Sequence, residues 1–181
     1  MKNIFFILSF FLFFASCEST ITEFDHFNID HTFEESFSFS IDSSDYSNND
    51  FDESIEFNIT DDESFKAYVD QITDYKVTSA GFKITSYEGN INARGTGRVE
   101  IISNNIILGS NQFMNLSFAD FKFTGDVYEL YFTDATILAI KEALLVGQKI
   151  IVNVSGSVSS RPIDEIEMVV FLSVEARVDI Q

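Results

Sequence analysis

The sequence predicts a mainly β fold: an antiparallel β-sandwich, immunoglobulin-like in general architecture, with two short helices between strands. Three observations carry this. From residue 27 to 41 the odd positions read Phe27, Ile29, His31, Phe33, Glu35, Phe37, Phe39 and Ile41, while every even position is polar. Near the other end, Ile166, Met168, Val170, Leu172, Val174, Ala176, Val178 and Ile180 repeat that alternation. Only two segments show a helical stripe instead. A period of two buries one face and wets the other, as in antiparallel sheets, and many such strands with few helices fit two packed sheets.

In chain order, the first strand spans 27–41 and is followed by a polar, turn-rich connection, Asp42 to Asp50. Phe51, Ile55, Phe57 and Ile59 then alternate with Asp52, Ser54, Glu56 and Asn58. Thr60 and Glu63 have capping-box spacing, and Phe65, Tyr68, Val69 and Ile72 fall on one stripe, so a helix is expected there. A strand follows over Tyr75 to Tyr87. Its apolar phase moves from Tyr75 and Val77 to Phe82 and Ile84, which places a β-bulge around Gly81. Val99–Ser103 and Ile106–Gly109 are joined by Asn104-Asn105, a hairpin turn, because Asn tolerates positive φ. After a strand over Val127 to Phe132, a second helix starts near Thr133 and Asp134. It carries Ile137, Leu138, Ile140, Leu144 and Leu145 and stops at Gly147, a left-handed cap. Strands over Lys149–Val158 and Ile166–Ile180 complete a count of eight to ten.

The first residues do not belong to this domain. Lys2 precedes an apolar run from Ile4 to Phe14, broken only by Ser9 and followed by the small pair Ala15 and Ser16. A spanning helix needs about 20 apolar residues and a secretory leader only about 7 to 15, so this is a processing segment. The small residues end on Cys17, the only cysteine in the chain. Phe13-Phe14-Ala15-Ser16-Cys17 resembles the lipobox of bacterial lipoproteins, with Phe14 where leucine is usual. The resemblance covers the first 17 residues. It implies cleavage between Ser16 and Cys17, a diacylglycerol on the Cys17 thiol and an acyl group on its freed amine. Two or more chains make a stable anchor where a single one does not. Residues 1–16 are then a leader, 17–26 a lipidated tether and 27–181 a single domain. Glu18 stands where some Gram-negative sorting systems read aspartate as an inner-membrane retention signal, so the resemblance implies the outer membrane and leaves the facing side open.

Composition narrows the chemistry. With Cys17 modified, the chain has no free thiol, no Trp, and only His26 and His31. Thiol nucleophiles, redox pairs and thiolate zinc sites are excluded. Between Glu18 and Tyr75 seventeen acidic residues face Lys66 alone, whereas Lys76 to Gln181 holds twelve acidic and nine basic residues. A field of that sign repels nucleic acid and favours basic partners; it also keeps a β protein soluble and its edges apart.

Several groups of residues are candidate sites. Asp42, Asp45, Asp50 and Asp52 supply the hard oxygen ligands calcium takes, but without the glycine or spacing of an EF-hand, so an acidic surface loop is the competing account. Asp61, Asp62 and Glu63 are explained by the first turn of a helix. His26 and His31, five apart, fall on opposite faces of an extended strand; His31 is expected at the core or an edge with one hydrogen-bond partner. Gly95-Thr96-Gly97-Arg98 has a strand after it in place of a helix, so a hairpin turn accounts for it better than a phosphate loop. Phe113, Leu116, Phe118, Phe121 and Phe123 form either core or an apolar patch for a partner. Three functions remain: a non-enzymatic envelope lipoprotein acting by binding or structural interaction with another envelope protein, an acidic inhibitor or immunity-type lipoprotein that captures a basic protein, and a carboxylate-dependent hydrolase. The first requires no further site. No cofactor beyond the covalent lipid is expected apart from calcium, and the oligomeric state is open.

Overall fold

The computed structural model describes residues 25–42 and 49–180. Two antiparallel four-stranded sheets face each other. The strands are β1 (His26–Ile41), β2 (Asp50–Phe57), β3 (Ile72–Gly89), β4 (Arg94–Ser103), β5 (Ile106–Ser117), β6 (Tyr128–Glu129), β7 (Ile150–Val158) and β8 (Ile163–Asp179). One sheet has the order β1-β8-β3-β6 and the other β2-β7-β4-β5. Only β4 and β5 are both consecutive in sequence and adjacent in a sheet; every other connection crosses from one sheet to the other. The two-layer architecture is the expected one, and this crossing pattern of eight strands makes it a jelly roll.

The alternation read in β1 is realised. Phe33, Phe39 and Ile41 are buried, Ile29 and Phe37 are half-buried, and the even residues face solvent. β8 lies between β1 and β3, paired from His26↔Asp179 to Phe39↔Ile166 on one side and from Ile72↔Val178 on the other. Its alternate residues from Ile166 to Val178 are buried, as a strand covered on one face requires. Aromatic pairs join the layers: Phe39 stacks on Phe51 at 4.8 Å, and Phe82 meets Phe113 edge-on at 5.7 Å. Such pairs contribute about 0.5–1.5 kcal/mol each beyond the apolar area they bury.

The Asn104-Asn105 turn is present, with φ of 49° and 61°, between the paired residues Ser103 and Ile106. The second predicted helix is also present, as the longest of three α-helices among the described residues. Here α3 (Asp134–Leu145) is capped by the Thr133 hydroxyl on the Thr136 amide and ends before Gly147, at φ 69°. Its inner face is Ile140, Ala143 and Leu144, whereas Leu138 and Leu145 are exposed.

Four local expectations are corrected. The helix expected after Thr60 shrinks to a 3-10 turn, Ile59–Asp61, and one α-turn, α1 (Glu63–Lys66). Asp62, not Thr60, caps it by accepting the Ser64 amide, while the Thr60 hydroxyl donates to Asn58. Tyr68 and Val69 then face outward, and Ile72 already belongs to β3. The phase change in β3 sits at a register shift between Val77 and Ser79, ahead of Gly81. Gly81 instead permits close packing, since a Cβ there would lie 2.7 Å from the Phe171 ring and 2.6 Å from the Tyr128 carbonyl oxygen. Gly95 to Arg98 are strand residues of β4, not a turn. The strand expected over Val127 to Phe132 pairs only at Tyr128–Glu129, continued by a bond from the Leu130 amide to the Ala80 carbonyl. A helix the alternation did not reveal, α2 (Phe118–Thr124), is capped by Ser117 and closed by Gly125 at φ 68°. It buries Phe118, half-buries Phe121 and leaves Phe123 at 90% exposure, so the phenylalanine cluster is mostly core.

Candidate functional site: an acidic cleft at the open edge of the sandwich

β1 ends one sheet and β2 ends the other, on the same side of the sandwich. Between them lies a cleft of ≈ 530 Å³. Phe33 and Phe57 are at its base, and Glu34, Glu35, Glu56, Asp61 and Asp62 line it with His31, Thr32 and Asn58. The sequence places these acids by simple rules. Glu34 and Glu56 occupy outward positions of their strands, and Asp61 and Asp62 come from the turn that returns the chain towards β3. Glu35 takes a position whose neighbours in phase, Phe33 and Phe37, turn inward; on an edge strand its carboxylate escapes to solvent.

His31 ties α1 to β1. Its Nε2 is 3.0 Å from Asp62 Oδ2 and its Nδ1 3.3 Å from the Ser64 hydroxyl. The ring stands edge-on to Phe33 at 4.7 Å and to Phe65 at 5.5 Å. The sequence led to one partner, and the structure supplies two. Although these residues form a Ser-His-Asp row, Asp62 also accepts the Ser64 amide through its other oxygen, so the carboxylate holds the turn as well as the imidazole.

Two lysines border the cleft. Lys83 lies 3.2 Å from Glu34, and Lys149 pairs with Glu56, whose hydrogen bond pushes the ammonium above its ordinary pKa. Asn58 donates to Asp61. Five carboxylates against two lysines leave the cleft negative. A concave, one-signed surface raises the local concentration of cationic groups, an effect that fades beyond about 8 Å at physiological ionic strength.

A second, shallower groove of ≈ 470 Å³ crosses the outer face of the other sheet. Thr96, Ser155 and Ser157 floor it, with Asp50, Arg98, Gln112 and Met114 at its sides. Gly97 and Gly156, paired in neighbouring strands, also line it.

Other residues singled out in the sequence are dispersed. Ser16, Cys17 and Asp45 lie outside the described residues. Asp42 and Asp50 flank the segment 43–48, and Asp52 points outward from β2, where it accepts from Asn153 at 2.6 Å. Among the described residues no group of three or more His, Cys, Asp or Glu side chains is placed to hold a metal ion. His26 bonds Asp25, holding that carboxyl below its usual range. Glu34, Glu35 and Glu56 read in the sequence only as strand residues. The signal that marks them is the charged Glu35 in an apolar phase.

An eight-stranded jelly roll with an acidic cleft at one edge is therefore the class of domain present. No family model and no curated protein matches the chain. Among solved structures it is similar to the decameric BFDV capsid protein, with 13% identity, a TM-score of 0.46, and coverage of 86% of this chain and 99% of that one.

Proposed function

We propose that this chain is a cell-envelope lipoprotein, anchored through Cys17, whose domain is a non-enzymatic binding module that takes a cationic segment of another protein into the cleft between β1 and β2. The observation that carries the binding reading is the convergence of Glu34, Glu35, Glu56, Asp61 and Asp62 on one concave edge. Among the described residues, both bordering strands have one side without a strand partner, so main-chain groups are also presented to an extended segment. The Ala15-Ser16-Cys17 sequence supports the anchor and, with Glu18, an outer-membrane address.

The test is calorimetric titration of the domain with octalysine at low and at physiological ionic strength. Affinity falls steeply with salt on this reading, because the attraction is screened. Each solvated ion pair contributes about 0.2–1 kcal/mol, so Glu34→Gln, Glu35→Gln and Asp61→Asn together lose about 1–2 kcal/mol, roughly tenfold in Kd. Neutralising Asp42, Asp50 and Asp52 changes net charge equally and leaves the affinity intact. Equal losses in the two triple variants would leave only general acidity, and the cleft would not be the site.

A further inference from the structure

We infer that the end of the sandwich from which the tether leaves is seated on a lipid surface, through an apolar cap of Phe27, Tyr68, Val69 and Ile180. The inference rests on the lipid anchor proposed above.

These four residues come from separate parts of the chain and are brought to one place by the sheet. The Ile180 amide donates to the Asp25 carbonyl at 2.8 Å, and the Asp179 amide to the Gln71 carbonyl at 3.0 Å. Phe27 pairs in register with Val178, and its ring meets Tyr68 edge-on at 5.2 Å. All four are nevertheless open to solvent: Phe27 is 37%, Tyr68 36%, Val69 39% and Ile180 54% exposed. The inner faces of the strands they adjoin are already filled, so the core makes no use of them. At the same end, Ile106 follows the hairpin turn at 64% exposure and Val146 follows α3 at 68%.

The length of chain leading away decides the occupant. From Cys17 to Asp25 is eight residues, which span at most about 28 Å even when fully extended. The sixteen residues of β1 alone run about 53 Å. A lipid on Cys17 thus holds this end, and not the far one, close to the bilayer. Tethering makes docking effectively intramolecular, so a small apolar contact suffices. Asp25, Asp70 and Asp179 border the cap with Arg177, which lies 3.0 Å from Asp179, so acidic charge outweighs basic at this rim and favours zwitterionic over anionic headgroups.

The test uses the full chain, expressed with its leader, with intact mass establishing the lipid on Cys17. It is placed in phosphatidylcholine–phosphatidylethanolamine vesicles with or without brominated acyl chains. An environment-sensitive fluorophore is attached at Val69→Cys, at Ile180→Cys, or at Ile91→Cys, the last an exposed apolar position in the turn between β3 and β4 at the opposite end. The expected result is a blue shift and quenching by brominated lipid at positions 69 and 180, neither at 91, and less quenching when phosphatidylglycerol is added. An anchored protein whose 69 and 180 probes escape quenching overturns the inference, whether they report water or, by a blue shift alone, a second copy of the chain. A mature chain without lipid on Cys17 overturns the anchor itself and the seating with it.

Discussion

Gly97→Ala tests why the two sheets can close over their phenylalanines. Gly97 pairs with Gly156 across β4 and β7, in a stretch where both positions turn towards the core. An added Cβ at Gly97 would lie 2.2 Å from the Ser155 carbonyl oxygen, 2.8 Å from the Phe113 ring and 2.9 Å from the Gly156 Cα. Two of those atoms are backbone of the adjacent strand, so no rotamer change relieves the contact. The strands must separate, or the Phe113 ring must withdraw. Overpacking of this kind costs about 1–3 kcal/mol when side chains can adjust. A backbone clash belongs at the upper end, about 3 kcal/mol, which lowers Tm by roughly 6–12 °C in a domain of this size. Gly125→Ala is the comparison, because its φ of 68° is unfavourable for alanine but nothing lies within 4 Å of the added atom. That strain alone costs about 1–2 kcal/mol. Equilibrium urea unfolding of both variants gives the answer. If Gly97→Ala costs no more than Gly125→Ala, close approach of β4 and β7 is not what those glycines serve.

Further outcomes follow from the packing and the charges. Phe65→Ala, which empties a fully buried site beneath His31, should cost about 3–5 kcal/mol in urea unfolding. His31→Ala removes the partner of Asp62 and Ser64 and should cost about 1–3 kcal/mol, with faster amide exchange confined to α1 and the residues after it. Burial raises the pKa of the Tyr75 and Tyr87 phenols, the latter also through Asp164. Above about pH 10 the unfolded chain ionises these phenols while the native state keeps their protons, so stability is complete below that pH and falls above it. Tyr75→Phe should flatten this alkaline loss in a pH series of unfolding free energies, and an unchanged slope would remove Tyr75 as its source.

Much of the sandwich was legible because local chemistry and tertiary burial agree. The phase of β1 and β8, the paired asparagines at 104–105 and the Thr133 cap of α3 are local signals that the fold keeps. Signals failed where a short polar contact outweighed periodicity. Asp62 starts α1 by accepting the Ser64 amide, but the stripe stops after one turn, where the Gln71 and Ile72 amides bond the Tyr68 carbonyl and leave Tyr68 and Val69 outside. In α2, phenylalanines at 118, 121 and 123 match a strand as readily as a helix. The jelly-roll order depends on pairings such as His26↔Asp179, which no local pattern encodes. The cleft was less visible for the same reason: Glu34 and Glu56 become neighbours only once both edge strands lie on the same side.

The central claim, that this domain is held at a membrane by a lipid on Cys17, is tested most directly by metabolic labelling with a fatty-acid analogue in cells expressing the native chain or Cys17→Ala. Label on the native chain, its absence from Cys17→Ala, and release of that variant from the membrane fraction are the results expected. An unlabelled native chain, or a Cys17→Ala variant that keeps both its label and its place in the membrane fraction, would contradict the account.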